Sequence, residues 1–187
     1  MTKLQGITES APGDWKLTEL GWIFSIAMVF LGLSAAIFGR WVEEGGPRKA
    51  MFTAGVLWAS GFFVSALGVK FHNIWLIYFG YGFLGGCALG IGYISPVSTL
   101  IKWFPDRPGM ATGMAIMGFG GGAMIASPLS VWLMARFASD TDVGVLNTFL
   151  TLGCVYFLFM MVGATLVRVP AKDWKPEGYV APAQPKK

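Results

Sequence analysis

A chain of 187 residues that is 55% hydrophobic and only 13% charged has too few polar side chains to clothe a soluble globule of its size. Its mean hydropathy of +0.60 places it among membrane proteins on composition alone. The net charge of +4 resides in loops and tails, which fits a membrane topology and excludes a nucleic-acid surface.

Residues 1–19 carry Lys3, Glu9, Asp14, Lys16 and Glu19, with neither a basic start nor a small-residue cleavage site. They are expected to form an extracytoplasmic segment and not a signal peptide. Five apolar runs follow, at Leu20–Phe38, Ala50–Val69, Ile74–Ile101, Met110–Ala135 and Leu146–Val167, and none contains a charged side chain. Each has the roughly 20 residues needed to cross a hydrocarbon core about 30 Å thick. Soluble helices would show a polar stripe, and barrel strands would alternate over about ten residues. These runs do neither. The expected fold class is all-α, a polytopic bundle of five transmembrane helices over residues 20–169. Cys87 and Cys154 both fall inside runs, where a thiol acts as a small apolar group.

Alternation places the N-terminal segment, the Lys70 to Asn73 turn and the Arg136 to Val145 loop on one side. Their basic residues are Lys3, Lys16, Lys70 and Arg136. The other side holds Arg40, Arg48, Lys49, Lys102, Arg107, Arg168, Lys172, Lys175, Lys186 and Lys187. That excess predicts a cytoplasmic second side, an outer N-terminus and an inner C-terminus. Trp22, Trp41, Trp75 and Trp103 lie near run ends, as ring anchors at the headgroup layer should. His72, alone in the outer turn, reads as a solvated side chain. Residues 170–187, rich in proline and lysine, read as a flexible cytoplasmic tail.

Glycine is concentrated in the third and fourth runs. Gly82, Gly86, Gly90 and Tyr93 share one face of the third; Ala111, Ala115, Gly118, Gly122 and Ala126 share one face of the fourth, with Gly113 nearby. Such stripes let backbones approach closely, which matters in lipid because apolar burial no longer drives association. Tight packing explains each glycine, and their density suggests helices that slide or rock. Pro96 after Ser95 and Pro128 after Ser127 each remove a backbone hydrogen bond and favour a kink, with the preceding serine available to a freed carbonyl.

Two loops carry more information. The first reads Gly39-Arg40-Trp41-Val42-Glu43-Glu44-Gly45-Gly46-Pro47-Arg48-Lys49, an acid and a basic cluster between glycines, suited to breakable ion pairs or to a solvated turn. The second reads Lys102-Trp103-Phe104-Pro105-Asp106-Arg107-Pro108-Gly109, followed by a glycine-rich run. At Gly39, Glu43, Gly46 and Arg48 the chain resembles the major facilitator superfamily. It departs from the usual signature at Glu43, where aspartate is usual, and at Pro47, where a basic residue is. The second loop, through Trp103, Phe104, Pro105, Asp106, Arg107 and Gly109, resembles the oxalate/formate antiporter branch, related to monocarboxylate transporters; Pro108 replaces a second basic residue.

The resemblance runs from about Trp15 to about Gly178 and aligns the chain with spans two to six of a twelve-span fold built as two six-helix halves. It implies a multi-pass protein of the bacterial inner membrane and secondary transport of a small organic anion by alternating access, with the substrate near the bilayer midplane. It also implies gating roles for Gly39, Glu43, Gly46, Arg48, Asp106, Arg107 and Gly109, and a separate polypeptide supplying the missing half. No Lys, Arg or His lies inside any run, although such residues usually mark ion pathways. The resemblance puts the basic substrate contacts in the second half. Tyr93 is the first candidate for the substrate path here, with Ser95 and Trp132 behind it; packing is the plainer role for each.

No zinc motif, phosphate-cradling loop or nucleophile triad is present, so neither enzyme activity nor a metal or other cofactor is expected. The leading expectation is an incomplete organic-anion antiporter, with lipid, a small anion and a completing polypeptide as partners. An assembly subunit without transport of its own is the alternative, and a gene fragment without function is the third.

Overall fold

Inside a bilayer every backbone polar group must find its partner within the protein, so long helices are the solution open to these runs. The computed structural model describes residues 13–139, 142–171, 174 and 176. Among them it forms five helices long and apolar enough to cross a membrane: α1 (Leu17–Gly45), α2 (Pro47–Lys70), α3 (Ile74–Trp103), α4 (Pro108–Phe137) and α5 (Val145–Leu166). Over its described residues the chain is all-helical, and it is a multi-pass membrane protein. Residues 1–12 and most of 170–187 lie outside the described residues, and with them the expectations for the N-terminal segment and the tail.

The helix cores match the expected runs, and the ends differ for local reasons. α1 begins three residues early because Glu19 takes the backbone N–H of Lys16 at 2.9 Å and closes the first turn. Its other end corrects the reading of Gly39 to Lys49 as a loop. The helix continues through Arg40, Glu43 and Glu44 to Gly45, with an Arg40–Glu44 ion pair of 2.8 Å along its exposed face. The reversal falls on Gly46 alone, whose φ of +82° suits glycine. Pro47 then opens α2 at the position where its missing N–H costs nothing.

α2 is the central helix, packed against α1 and, far more extensively, against α3 and α5. Apart from Phe62, its inward residues are mostly small: Ala54, Gly55, Ala59, Gly61, Ser65 and Ala66 are all buried. The closest crossing is with α3, where a Cβ on Gly61 would sit 2.6 Å from the carbonyl oxygen of Gly80. At that crossing α3 widens into a π-helical stretch, Tyr78–Gly85, between α-helical turns. Pro96 and Pro128, the positions where kinks are expected, both lie inside continuous α-helix, and the change of helix type falls at the π-helical stretch.

α3 also lies along α1. A Cβ on Gly86 would stand 2.6 Å from the Ala27 carbonyl oxygen, and one on Gly90 would stand 2.5 Å from that of Leu31 and collide with the Ser34 hydroxyl. Gly82 faces Ile26 in the same row. The small stripe of the third run is therefore an interface in which two backbones touch. α4 differs. It meets α3 and α5 but buries only Ala111 and Leu133, and Gly113, Gly118 and Gly122 have nothing within 4 Å of an added Cβ.

At the end bearing Asn73, the α2–α3 turn is held by local polar contacts. Asn73 accepts from the Trp75 N–H at 3.0 Å. His72, expected as a solvated side chain, stacks on Trp15 with ring centroids 4.6 Å apart and places Nε2 2.9 Å from the Gly13 carbonyl oxygen. Tyr78 donates its hydroxyl to the Glu19 carbonyl oxygen at 2.8 Å, so the start of α1 is tied to the start of α3.

Candidate functional site: the cleft between α1 and α4

α1 and α4 do not close on each other. Between them a cavity of about 560 Å³ reaches inward to α2, α3 and α5. Helical spacing assembles its walls. Leu20, Ile23 and Phe24 come from one turn of α1; Ala123, Ala126, Ser127, Ser130 and Met134 recur at three or four along α4; Val145, Thr148, Phe149, Leu152 and Tyr156 do so along α5. Ile77 and Tyr81 of α3, with Phe62 of α2, form the floor.

The floor is aromatic and rigidly packed. Phe62 lies 5.6 Å from Tyr81, 5.4 Å from Tyr156 and 5.5 Å from Phe149 between ring centroids, and Trp58 backs it at 5.3 Å. Edge and tilted contacts at these separations fix the rings against one another.

The polar groups of the wall fall into two sets. Ser130 donates to the Ala126 carbonyl oxygen at 2.7 Å and Thr148 to that of Gly144 at 2.8 Å, so their protons are committed to their own helices. Tyr81, Ser127 and Tyr156 have hydroxyls without a hydrogen-bond partner among the described residues. An anion needs donors, and these three hydroxyls are the ones in the wall with a proton to offer.

The predicted path residues separate. Tyr93 lines a second cavity, about 450 Å³, between α3 and α4, with Phe119 edge-on at 5.9 Å. Ser95 is fully buried and donates to the Pro47 carbonyl oxygen at 3.2 Å, holding the start of α2 against α3. That is not the bond expected of it, to a carbonyl freed by Pro96 in its own helix. Trp132 is 61% exposed on the outside of α4. Tyr81 and Tyr156 were not singled out by sequence. Their signal was the i, i+4 row Thr148, Leu152, Tyr156 and the pair Ile77, Tyr81, which becomes meaningful once helix rotation is known.

The loop signatures lie at the opposite end of the bundle. Arg48 donates Nε to the Val167 carbonyl oxygen at 3.0 Å, capping the end of α5. Glu43 is exposed and has no ion-pair partner among the described residues. A Cβ added to Gly39 would lie an ordinary 3.9 Å from Ile94. Asp106 pairs with its neighbour Arg107 at 3.4 Å in the α3–α4 turn, and Gly109 sits in the open first turn of α4. No ion pair joins the two signature loops among the described residues. Nor do those residues contain a group of three or more His, Cys, Asp or Glu able to hold a metal.

The family model of the Major Facilitator Superfamily matches residues 6–186. The chain belongs to this superfamily. It is 28% identical over 164 residues to the uncharacterized MFS-type transporter YhjX of Escherichia coli, an alignment covering 88% of this chain and 39% of that protein. To apicoplast pyruvate carrier 1 of Toxoplasma gondii it is 27% identical, over 87% of this chain and 34% of the carrier. To human monocarboxylate transporter 6 it is 27% identical, over 90% and 31% respectively. This major facilitator chain thus spans between about a third and two fifths of the length of these relatives. These relatives are named as transporters and a carrier.

Proposed function

We propose that this chain forms part of a secondary transporter for small monocarboxylate-type anions, including the oxalate and formate class, working by alternating access. The observation that carries this reading is the α1–α4 cleft, where Tyr81, Ser127 and Tyr156 present unengaged hydroxyl donors above a fixed aromatic floor. Relatives named for pyruvate and for monocarboxylates support the substrate class. A carboxylate also needs a cation, and the apolar runs contain none. The cation comes from helices outside this chain, which seat on the uncovered face of α4 and close the cleft. Tyr93 belongs to the same path on the other half of α3. Glu43, Asp106 and Arg107 gate it, meeting charges on the completing helices. The basic end faces the cytoplasm of a bacterial inner membrane.

Counterflow of labelled formate, oxalate and pyruvate in proteoliposomes tests this. The chain alone is expected to give none, and the chain expressed with the reading frames flanking its gene is expected to transport. In that active assembly Tyr81→Phe and Tyr156→Phe lower transport about tenfold or more, as loss of an anion's hydrogen-bond donor does. Carboxylate counterflow by the chain alone would overturn the proposal of an incomplete carrier.

A second reading follows from the bare α4 face: an assembly subunit without transport of its own. A stable complex whose transport is unchanged when this chain is removed would establish it instead.

A further inference from the structure

At the basic end of the bundle, two cavities adjoin and share the side chains of Arg48 and Lys49. One, of about 620 Å³, lies between the Gly45–Lys49 turn and the segment Val167–Val169, and is lined by Arg48, Lys49 and Arg168 without an acidic residue. The other, of about 570 Å³, runs along the helices and is lined by Trp41, Phe52, Met161 and Ala164 as well as by Thr53 and Thr165. A compact compartment with three cations therefore opens into an apolar groove at the level where a bilayer changes from headgroup to chain.

Among the described residues, no acidic side chain compensates these charges. Arg40 takes Glu44 along α1, and neither Glu44 nor Glu43 lines either cavity. Arg48 is held in place by its Nε bond to the Val167 carbonyl oxygen, and among the described residues its two terminal guanidinium nitrogens have no other partner, so they can donate as a fork. The segment carrying Arg168 is fixed from its far side, because Trp103 Nε1 donates to the Arg168 carbonyl oxygen at 2.9 Å. The first turn of α2 adds its positive dipole end to the same compartment.

We propose that an anionic phospholipid binds here, with its phosphate among Arg48, Lys49 and Arg168 and an acyl chain in the groove beside Trp41, Phe52 and Met161. A free phosphate would satisfy the cations but not the groove. A zwitterionic lipid would fill the groove but bring its own cation toward the three basic groups. The anionic lipid matches both compartments, and basic pockets between helices are a recurrent headgroup site.

Native mass spectrometry of the full chain, delipidated in detergent and titrated with phosphatidylglycerol or phosphatidylcholine of equal chain length, tests this. One phosphatidylglycerol is expected to bind at least about tenfold more tightly than phosphatidylcholine, and Lys49→Gln and Arg168→Gln each weaken it about fivefold. Both residues are exposed, and circular dichroism confirms that the variants remain helical. Lys102→Gln, a charge at the same end that lines neither cavity, leaves affinity unchanged. Thr165→Phe, which narrows the groove without removing a cation, lowers the affinity for phosphatidylglycerol. Equal affinity for the two lipids, or equal effects of Lys49→Gln and Lys102→Gln, would show only an unspecific lipid annulus and overturn the proposal. Displacement of the lipid by millimolar inorganic phosphate, with Thr165→Phe silent, would mark a small-anion site and overturn it as well.

Discussion

α3 and α4 are near twins in sequence character and opposites in structure. Each has 30 residues, each carries a stripe of glycine, and each has one internal proline. The stripe of α3 is filled: Gly82, Gly86 and Gly90 meet α1, and Gly80 meets the backbone of α2. The stripe of α4 is bare, with Gly113, Gly118 and Gly122 in open space and Met117, Met124, Ile125 and Trp132 exposed around it. A glycine stripe therefore records that a helix can be approached closely, and a second helix must be present before the approach contributes anything. In α3 the gain is van der Waals contact between backbones. In α4 the same composition leaves a helix with little to hold it but its two neighbours.

The comparison breaks hardest at Gly86. A side chain there must displace the Ala27 carbonyl oxygen, which lies 2.6 Å from an added Cβ, and the Cβ of Phe30 at 2.9 Å. Neither is the yielding end of a flexible side chain. Gly86→Leu is expected to cost about 3 kcal/mol or more, the upper range of overpacking, and to separate α1 from α3. Thermal unfolding of the purified chain in detergent measures it. An unfolding midpoint close to that of the parent chain would mean that the α1–α3 interface is looser than its geometry.

A smaller effect tests whether polar contacts share the work on α3. Ser95 is fully buried and reaches across to Pro47, and Thr99 donates back to the Ser95 carbonyl oxygen at 2.7 Å. Ser95→Ala removes the bond between helices and keeps the volume, so a loss of about 1 kcal/mol is expected in the same unfolding experiment. A loss as large as that of Gly86→Leu would shift the weight of the interface from packing to hydrogen bonding.

The fate of these two helices also marks what sequence can and cannot convey. That both cross the membrane was legible, because the hydrocarbon core imposes a length and an apolar composition that no other fold needs. The ends were less so. Arg40, Glu43 and Glu44 read as a loop since they are charged, yet a helix leaving the membrane carries charge without strain, and Gly46 alone supplies the turn. The π-helical stretch at Tyr78–Gly85 was not read from the sequence; it lies where α3 crosses Gly61 of a different helix. Site residues depend on helix rotation in the same way. Tyr93 lines a cavity, Ser95 is enclosed and Trp132 points outward, although the three lie in similar apolar surroundings in the sequence. The cleft tyrosines, Tyr81 and Tyr156, come together around Trp58 and Phe62 of α2.

The smallest expected effect is the most telling, because it inverts the first. Gly122→Leu on α4 adds a large side chain where nothing lies within 4 Å. In the isolated chain it should change stability by no more than about 1 kcal/mol, with a slight gain expected since leucine is the better helix former. The same substitution in an assembly containing the completing helices should prevent their close seating on α4, seen as loss of co-purification while the chain itself stays folded. If Gly122→Leu instead destabilises the isolated chain as severely as Gly86→Leu, α4 is already packed against a partner, such as a second copy of the chain. If it leaves the completed assembly intact, the glycines of α4 are not a seat for another helix, and the cleft beside them must be closed from the α1 side.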